Sequence, residues 1–347
     1  MDHLLALPDE RRQVLFDEAG ARLGLSAGSV EKDLWVCWIL RALFTLPASG
    51  PHLTFKGGTS LSKGWRLIQR FSEDLDIVLD RNVLGFRGEQ APESAPSQKQ
   101  RTKRLDALRV ACQQYVRDTL LPELDQRLRG APEDPNRWQL ALDPDDVDAQ
   151  TLLFHYPAVA ARSDYIRPVV KIELGARSDT EPSAEPRITP YVAEALPAVS
   201  GDCTFTVRTV APERTFWEKV ALLHEETHRT SGAAPKARLA RHYYDVWALI
   251  QAGVADRALA DPDLFARVAA HRVVFFRKGQ AAQASLQPGR LRMLPSSERR
   301  SAWKQDYEAM RESMFFGEAP TFDEILTVVA EFERRFNASP DPASPLG

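Results

Sequence analysis

Cysteine is scarce. The 347 residues contain three, Cys37, Cys112 and Cys203, far apart and without metal-ligand spacing. That excludes a disulfide framework and suits a reducing compartment. Net charge is also small: 45 Lys and Arg against 48 Asp and Glu leave −3. A global electrostatic grip on a polyanion is therefore absent, and any nucleic-acid contact must come from a local basic patch. Long apolar runs are missing. The most apolar stretch, Leu34 to Leu46, is interrupted by Arg41 and falls short of the roughly 20 residues a spanning helix needs, so it reads as a buried helix with no membrane partner. Met1-Asp2-His3 and then Pro8-Asp9-Glu10 carry no basic region followed by an apolar core, so no secretory signal is expected and the expected location is cytoplasmic. Internal repeats are absent as well. What remains, 44% hydrophobic and 27% charged residues, is ordinary globular composition in a chain long enough for one large domain or two ordinary ones.

Apolar spacing predicts helices over 9–23 and 29–46, the second opened by Ser26 or Ser29. A short strand, Leu53-Thr54-Phe55, leads into the turn Lys56-Gly57-Gly58-Thr59-Ser60. A helix over about 61–70 and a second strand, Leu75 to Leu79, follow. Residues 84–100 read as a Pro/Gly/Ser-rich loop and about 99–128 as a long charged helix. Strands are expected at 138–142, 150–156 and 166–174, another loop at 178–187, and an alternating edge strand over Cys203 to Val210. Pro212 then opens a helix at its first turn. Further helices are expected at about 235–252, 262–277, 298–313 and 321–336, and a Pro/Ser-rich disordered tail ends the chain. The expected organisation is an α+β domain with a mixed sheet over 1–210, a helical lobe over 211–337 and a tail over 338–347.

The chemistry centres on Phe55-Lys56-Gly57-Gly58-Thr59-Ser60-Leu61-Ser62-Lys63, followed closely by Arg70-Phe71-Ser72-Glu73-Asp74-Leu75-Asp76-Ile77. Two glycines between a strand and a helix let backbone N–H groups approach a ligand. With the Thr59 and Ser60 hydroxyls and a helix N-terminus they suit a triphosphate, and Lys63 lies about one turn further on. The spacing is not that of a Walker A loop. Asp74 and Asp76, two apart on a strand, project from one face. At about 7 Å their repulsion is about 2 kcal/mol at an effective dielectric near 20. A divalent cation between them turns that cost into attraction, and Mg²⁺ or Mn²⁺ is the expected cofactor. Ser72 shares the same face beside the nucleotide, where a phosphate group would compete for the cation or repel the triphosphate.

These two blocks resemble the AbiEii/AbiGii-type toxin nucleotidyltransferases, a branch of the polymerase-β-like superfamily. Two later blocks extend the resemblance: Glu218-Lys219, within Pro212-Glu-Arg-Thr-Phe-Trp-Glu-Lys-Val-Ala-Leu-Leu-His224, and Arg241-His242-Tyr243-Tyr244-Asp245-Val246-Trp247. It spans roughly 30 to 250. It implies a polymerase-β-like core with a helical lobe and transfer of a nucleotide from a triphosphate, in some relatives onto the 3′ end of tRNA. It also implies growth arrest and a cognate antitoxin. A third carboxylate from a later strand is usual in such a fold, and Glu173 in Pro168-Val-Val-Lys-Ile-Glu-Leu has that setting. Lys219, Arg241 and Asp245 are expected to complete the pocket from the helical lobe. The blander account makes Arg241 and Asp245 a helical ion pair one turn apart.

Two rival readings come from other classes. His224-Glu225-Glu226-Thr227-His228 fits the zinc-protease pattern of two histidines one turn apart with a general base between them. Against it, Glu226 is charged, Thr230-Ser231-Gly232 ends the helix at once, and a third ligand would have to come from His242 or Asp245. A non-catalytic RNA-binding protein could line a groove with Arg66, Arg70, Arg208, Arg214, Lys236, Arg238 and Arg241. A polyanion site of that kind gains nothing from Asp74 and Asp76.

Overall fold

A computed structural model describes residues 1–131, 134–160, 167–229, 237–276, 285–315 and 318–338, with backbone alone at 312 and 313. The chain divides into two compact units. Unit 1 comprises Met1–Trp65 and Phe71–Val210; unit 2 comprises Arg66–Arg70 and Ala211–Gly347.

Unit 1 is built on a seven-stranded mixed sheet. Its strands are β1 (Leu53–Lys56), β2 (Leu75–Leu79), β3 (Gln139–Leu142), β4 (Thr151–His155), β5 (Val169–Gly175), β6 (Ser183–Ala184) and β9 (Thr209–Val210). Their order is β3-β4-β5-β2-β1-β9-β6. β1 and β2 are antiparallel, whereas β2–β5 and β1–β9 are parallel. The α+β class and mixed sheet are as the sequence predicts. Helices α1 (Asp2–Leu5), α2 (Asp9–Leu23) and α3 (Ala27–Phe44) precede the sheet. Ser26 caps α3, accepting the N–H of Ser29 at 3.1 Å. From Ser29 to Leu40 every residue of α3 is buried, with Trp35 stacked against Tyr156 at 5.3 Å between ring centroids.

Several expected boundaries are corrected. The helix placed at 61–70 begins at Gly57 instead, as α4 (Gly57–Thr59) continued by a wide π turn over Ser60–Gly64. The long helix is two, α5 (Gln98–Tyr115) and α6 (Leu121–Arg129), joined by a π turn over Val116–Leu120. Pro122 supplies the reason, since it has no N–H to continue a regular ladder. Cys203 to Val210 is not one edge strand. Phe205–Thr206 (β8) pairs with Arg187–Ile188 (β7) as a separate ribbon, while β9 lies inside the sheet between β1 and β6. Alternation reveals a pleated segment but not how many neighbours it has. Short helices α7 (Tyr191–Ala195) and α8 (Pro197–Ser200) were not anticipated.

Unit 2 is helical: α9 (Pro212–Thr227), α10 (Arg241–Gln251), the unanticipated α11 (Val254–Leu259), α12 (Pro262–Phe275), and two more helices at Ser297–Met314 and Phe322–Asn337. An aromatic core holds it. Trp217 lies 4.8 Å from Phe265 and 5.4 Å from Phe336, and Tyr243 packs edge-on against Trp303 and Phe322. Residues 230–236 and 339–347, where a helix start and the disordered tail were expected, lie outside the described residues.

Candidate active site

Register creates the acidic face. β2 and β5 run parallel with Asp76 paired to Glu173, so the two carboxylates stand side by side on one face of the sheet. Leu75 and Ile77, and likewise Ile172 and Leu174, turn into the core on the opposite face. Asp74 sits one residue before β2 rather than within it. Its carboxyl is pushed above the usual range by burial first and then by Glu173 and Glu73, with Lys171 and Lys32 pulling the other way. Lys171 also holds Glu173 in an ion pair at 2.6 Å. Glu173 is thus paired with Asp76 by register and acts electrostatically on Asp74. Even so, among the described residues no group of three or more His, Cys, Asp or Glu side chains is arranged to hold a metal ion.

The paired glycines are not equivalent. Gly57 has φ +78°, and a Cβ there would lie 1.9 Å from Asp76 Oδ2, so its bare backbone is what lets the Asp76 carboxylate close over the turn. Gly58 does not share the positive φ. The hydroxyls expected to face a triphosphate point inward. Thr59 Oγ1 lies 2.5 Å from the carbonyl oxygen of Asp74 and 2.9 Å from Ser72 Oγ, and Ser60 donates to the carbonyl of Gly57 at 2.9 Å. Thr59 and Ser72 therefore stitch the glycine turn to the chain entering β2, while Ser60 braces the turn on itself. Lys63 is also turned away from solvent: its ammonium is 2.9 Å from Asp33 Oδ1 and 3.5 Å from the centre of the Tyr191 ring. Burial works against that charge, but Asp33 and its neighbours hold the ammonium above its ordinary value.

In unit 2 the expected pocket residues form a buried ion cluster. Asp245, fully buried, accepts Arg70 Nε at 2.7 Å, a second guanidinium nitrogen at 2.9 Å and Lys219 Nζ at 2.8 Å. Burial opposes its charge, yet Arg70 and Lys219 hold the carboxyl far below the usual range. Burial pulls Lys219 below the ordinary lysine value, Asp245 resisting, and also drives His242 down, with the Lys219 charge adding to it. The helical pair of Arg241 with Asp245 does not form. Arg241 is half-buried at the start of α10, and Arg70 takes the carboxylate in its place. Arg70 was missed as a partner, although it heads the Arg-Phe-Ser-Glu-Asp block.

The family model for the nucleotidyl transferase AbiEii toxin, Type IV TA system, matches residues 38–328. The chain belongs to this family. It is accordingly a nucleotidyltransferase of the AbiEii toxin type. Among solved structures, MenT4, a nucleotidyltransferase toxin of Mycobacterium tuberculosis H37Rv, is similar at 18% identity and a TM-score of 0.45, over 92% of this chain and 98% of that one. No curated protein matches the chain.

In this AbiEii-family chain the H-E-x-x-H segment is absorbed by packing. His224 is fully buried; its Nδ1 accepts the N–H of Arg292 at 3.0 Å and its Nε2 lies 3.1 Å from Ser285 Oγ. Glu225, the would-be general base, makes two 2.6 Å hydrogen bonds with Arg272. The basic groove fares no better. Arg70 and Arg214 are buried, Arg214 3.1 Å from Glu218, and Arg208 pairs with Glu181. Lys236 lies outside the described residues. No helix is long and apolar enough to cross a membrane among the described residues.

Proposed function

We propose that the chain moves a nucleotide from a nucleoside triphosphate onto RNA, with the 3′ end of tRNA as acceptor. In this reading it acts as the toxin of a toxin–antitoxin pair, restrained by a cognate antitoxin. The observation that carries the reading is the register pairing of Asp76 with Glu173, with Asp74 beside them and the Gly57 backbone against the Asp76 carboxylate.

The chemistry of the donor set fits a divalent cation, although the three carboxylates are not gathered into a ready-made site. The set offers carboxylate oxygens and no sulfur or imidazole, the choice of Mg²⁺ or Mn²⁺ over Zn²⁺. Burial first, and then the like charge of Glu173 and Glu73, raises Asp74, and that like charge is the kind of strain a cation relieves. Asp74, Asp76 and Glu173 are assigned as its ligands. Held there, a cation would neutralise charge on the triphosphate and make the acceptor hydroxyl easier to deprotonate. The chain's own residues supply position. Gly57 and Gly58 would open the backbone toward the phosphates, while Thr59, with Ser72, ties that turn to Asp74.

The test is incubation of purified protein with each labelled NTP, total RNA and Mg²⁺. Label should enter RNA with one or more of the four, and chelation should stop it. Label found on protein would overturn the RNA acceptor, and no incorporation under any condition would overturn the proposal.

A further inference from the structure

Three consecutive charged side chains on α3, Glu31, Lys32 and Asp33, are 2%, 2% and 4% exposed. Successive helical residues point about 100° apart, so the three leave α3 in different directions and reach different segments. Glu31 accepts the backbone N–H groups of Val159 and Ala160 at 2.8 and 2.9 Å. Lys32 is ion-paired with Glu73 and donates to the carbonyl of Arg167 at 3.1 Å. Asp33 holds Lys63 through Oδ1 and accepts the N–H of Tyr191 at 2.6 Å through Oδ2.

Burying charge is costly, and a well-packed apolar replacement of a buried pair is often neutral or stabilising. A run of three such charges therefore needs a reason other than stability. Two of the tethered residues border the proposed site: Glu73 immediately precedes Asp74, and Lys63 lies in the turn that begins at Gly57. The span matched by the family model begins at Trp38, so these charges lie outside it.

We propose that Lys32 and Asp33 are positioning residues for the two halves of the active site. Lys32, through Glu73, fixes the Asp74 approach to β2; Asp33, through Lys63, fixes the Gly57–Gly64 turn. The inference rests on the metal-and-glycine reading above, and it assigns the two tethers different kinetic consequences.

The test uses two double variants, each removing a whole pair so that no lone charge is left buried. Lys32→Met with Glu73→Gln should lower kcat about 10- to 100-fold, the range typical of residues that orient metal ligands, and raise the Mg²⁺ needed for half-maximal rate. Its KM for NTP should stay within about threefold of the parent. Asp33→Asn with Lys63→Met should weaken NTP binding about tenfold by calorimetry, a readout independent of transfer, with the Mg²⁺ requirement unchanged. Lys32→Arg should retain most of the parental rate. Thermal unfolding confirms that each variant is folded. Folded double variants with parental kcat, NTP affinity and Mg²⁺ dependence would overturn the proposal, as would equal losses in all three. A parent that neither binds nor transfers any NTP would instead overturn the functional reading, and the proposal with it.

Discussion

At the scale of single residues, the two glycines separate what backbone freedom does from what space does. Gly24 and Gly57 both adopt left-handed φ, +67° and +78°. A Cβ at Gly24 meets nothing within 4 Å, while one at Gly57 meets Asp76 Oδ2 at 1.9 Å. Gly24→Ala should therefore cost only the backbone strain, about 1–2 kcal/mol, and leave transfer intact. Gly57→Ala should cost the same strain plus displacement of the Asp76 carboxylate, and transfer should fall about 100-fold or more, an effect equivalent to roughly 2.7 kcal/mol at the barrier. Urea midpoints and labelled-NTP incorporation on both variants decide it. A fully active Gly57→Ala would show that the carboxylate does not need that approach. The glycine pair was legible in the sequence because no other residue type opens a strand-to-helix turn in this way. Which glycine is strained, and that Thr59, Ser60 and Lys63 face inward, was not. Composition and spacing carry no information on which side of a turn a hydroxyl or ammonium faces.

At the scale of elements, sequence patterning located β1, β2, α2 and α3 nearly to the residue, because their apolar periodicity and caps agree. It also drew Glu173 from an apolar strand. What lifts Glu173 from an exposed acid to a partner of Asp76 is the parallel pairing of β2 with β5, a contact between segments nearly a hundred residues apart that no local pattern encodes. The same limit hid the partner of Asp245. The sequence offered Arg241, four residues earlier, but the carboxylate is taken by Arg70 from the segment Arg66–Arg70, which belongs to unit 2. Asp245 thus anchors the stretch of chain that runs on to Asp74. Asp245→Asn should leave Arg70 and Lys219 buried without their counter-charge and destabilise the fold by about 3–5 kcal/mol. The sign of the pH dependence follows from the depressed carboxyl. The ordinary unfolded value is about 3.9, so the contribution is fully present above that pH and is lost as pH falls through the lower folded value. Acid unfolding of the parent followed by circular dichroism should show this loss below about pH 4, and Asp245→Asn should lack it. A variant as stable as the parent at pH 7 would remove the anchoring role.

At the scale of the whole molecule, the two reaction classes make opposite demands on two residues, one in each unit. Hydrolysis at zinc requires His224 to have a free ring nitrogen, whereas both of its nitrogens are engaged by Arg292 and Ser285 inside the helical unit. Nucleotide transfer as proposed requires Asp76 to meet a cation, and Asp76 stands beside Glu173 on the sheet. Asp76→Asn should therefore remove most transfer while the fold persists. It would delete one proposed ligand and ease repulsion among the carboxylates, so melting without Mg²⁺ should stay level or rise slightly. The parent should gain stability from saturating Mg²⁺ and NTP by mass action, about 2.7 kcal/mol at a hundredfold excess over Kd, and Asp76→Asn should lose most of that gain. Expressed in cells without antitoxin, the parent should arrest growth and Asp76→Asn should not. His224→Ala breaks buried hydrogen bonds and should lower the melting temperature, but folded material should transfer nucleotide at the parental rate, and metal analysis of the parent should find no stoichiometric zinc. The opposite pattern would replace the transferase reading with the protease one: zinc bound one-to-one, His224→Ala inactive and Asp76→Asn fully active.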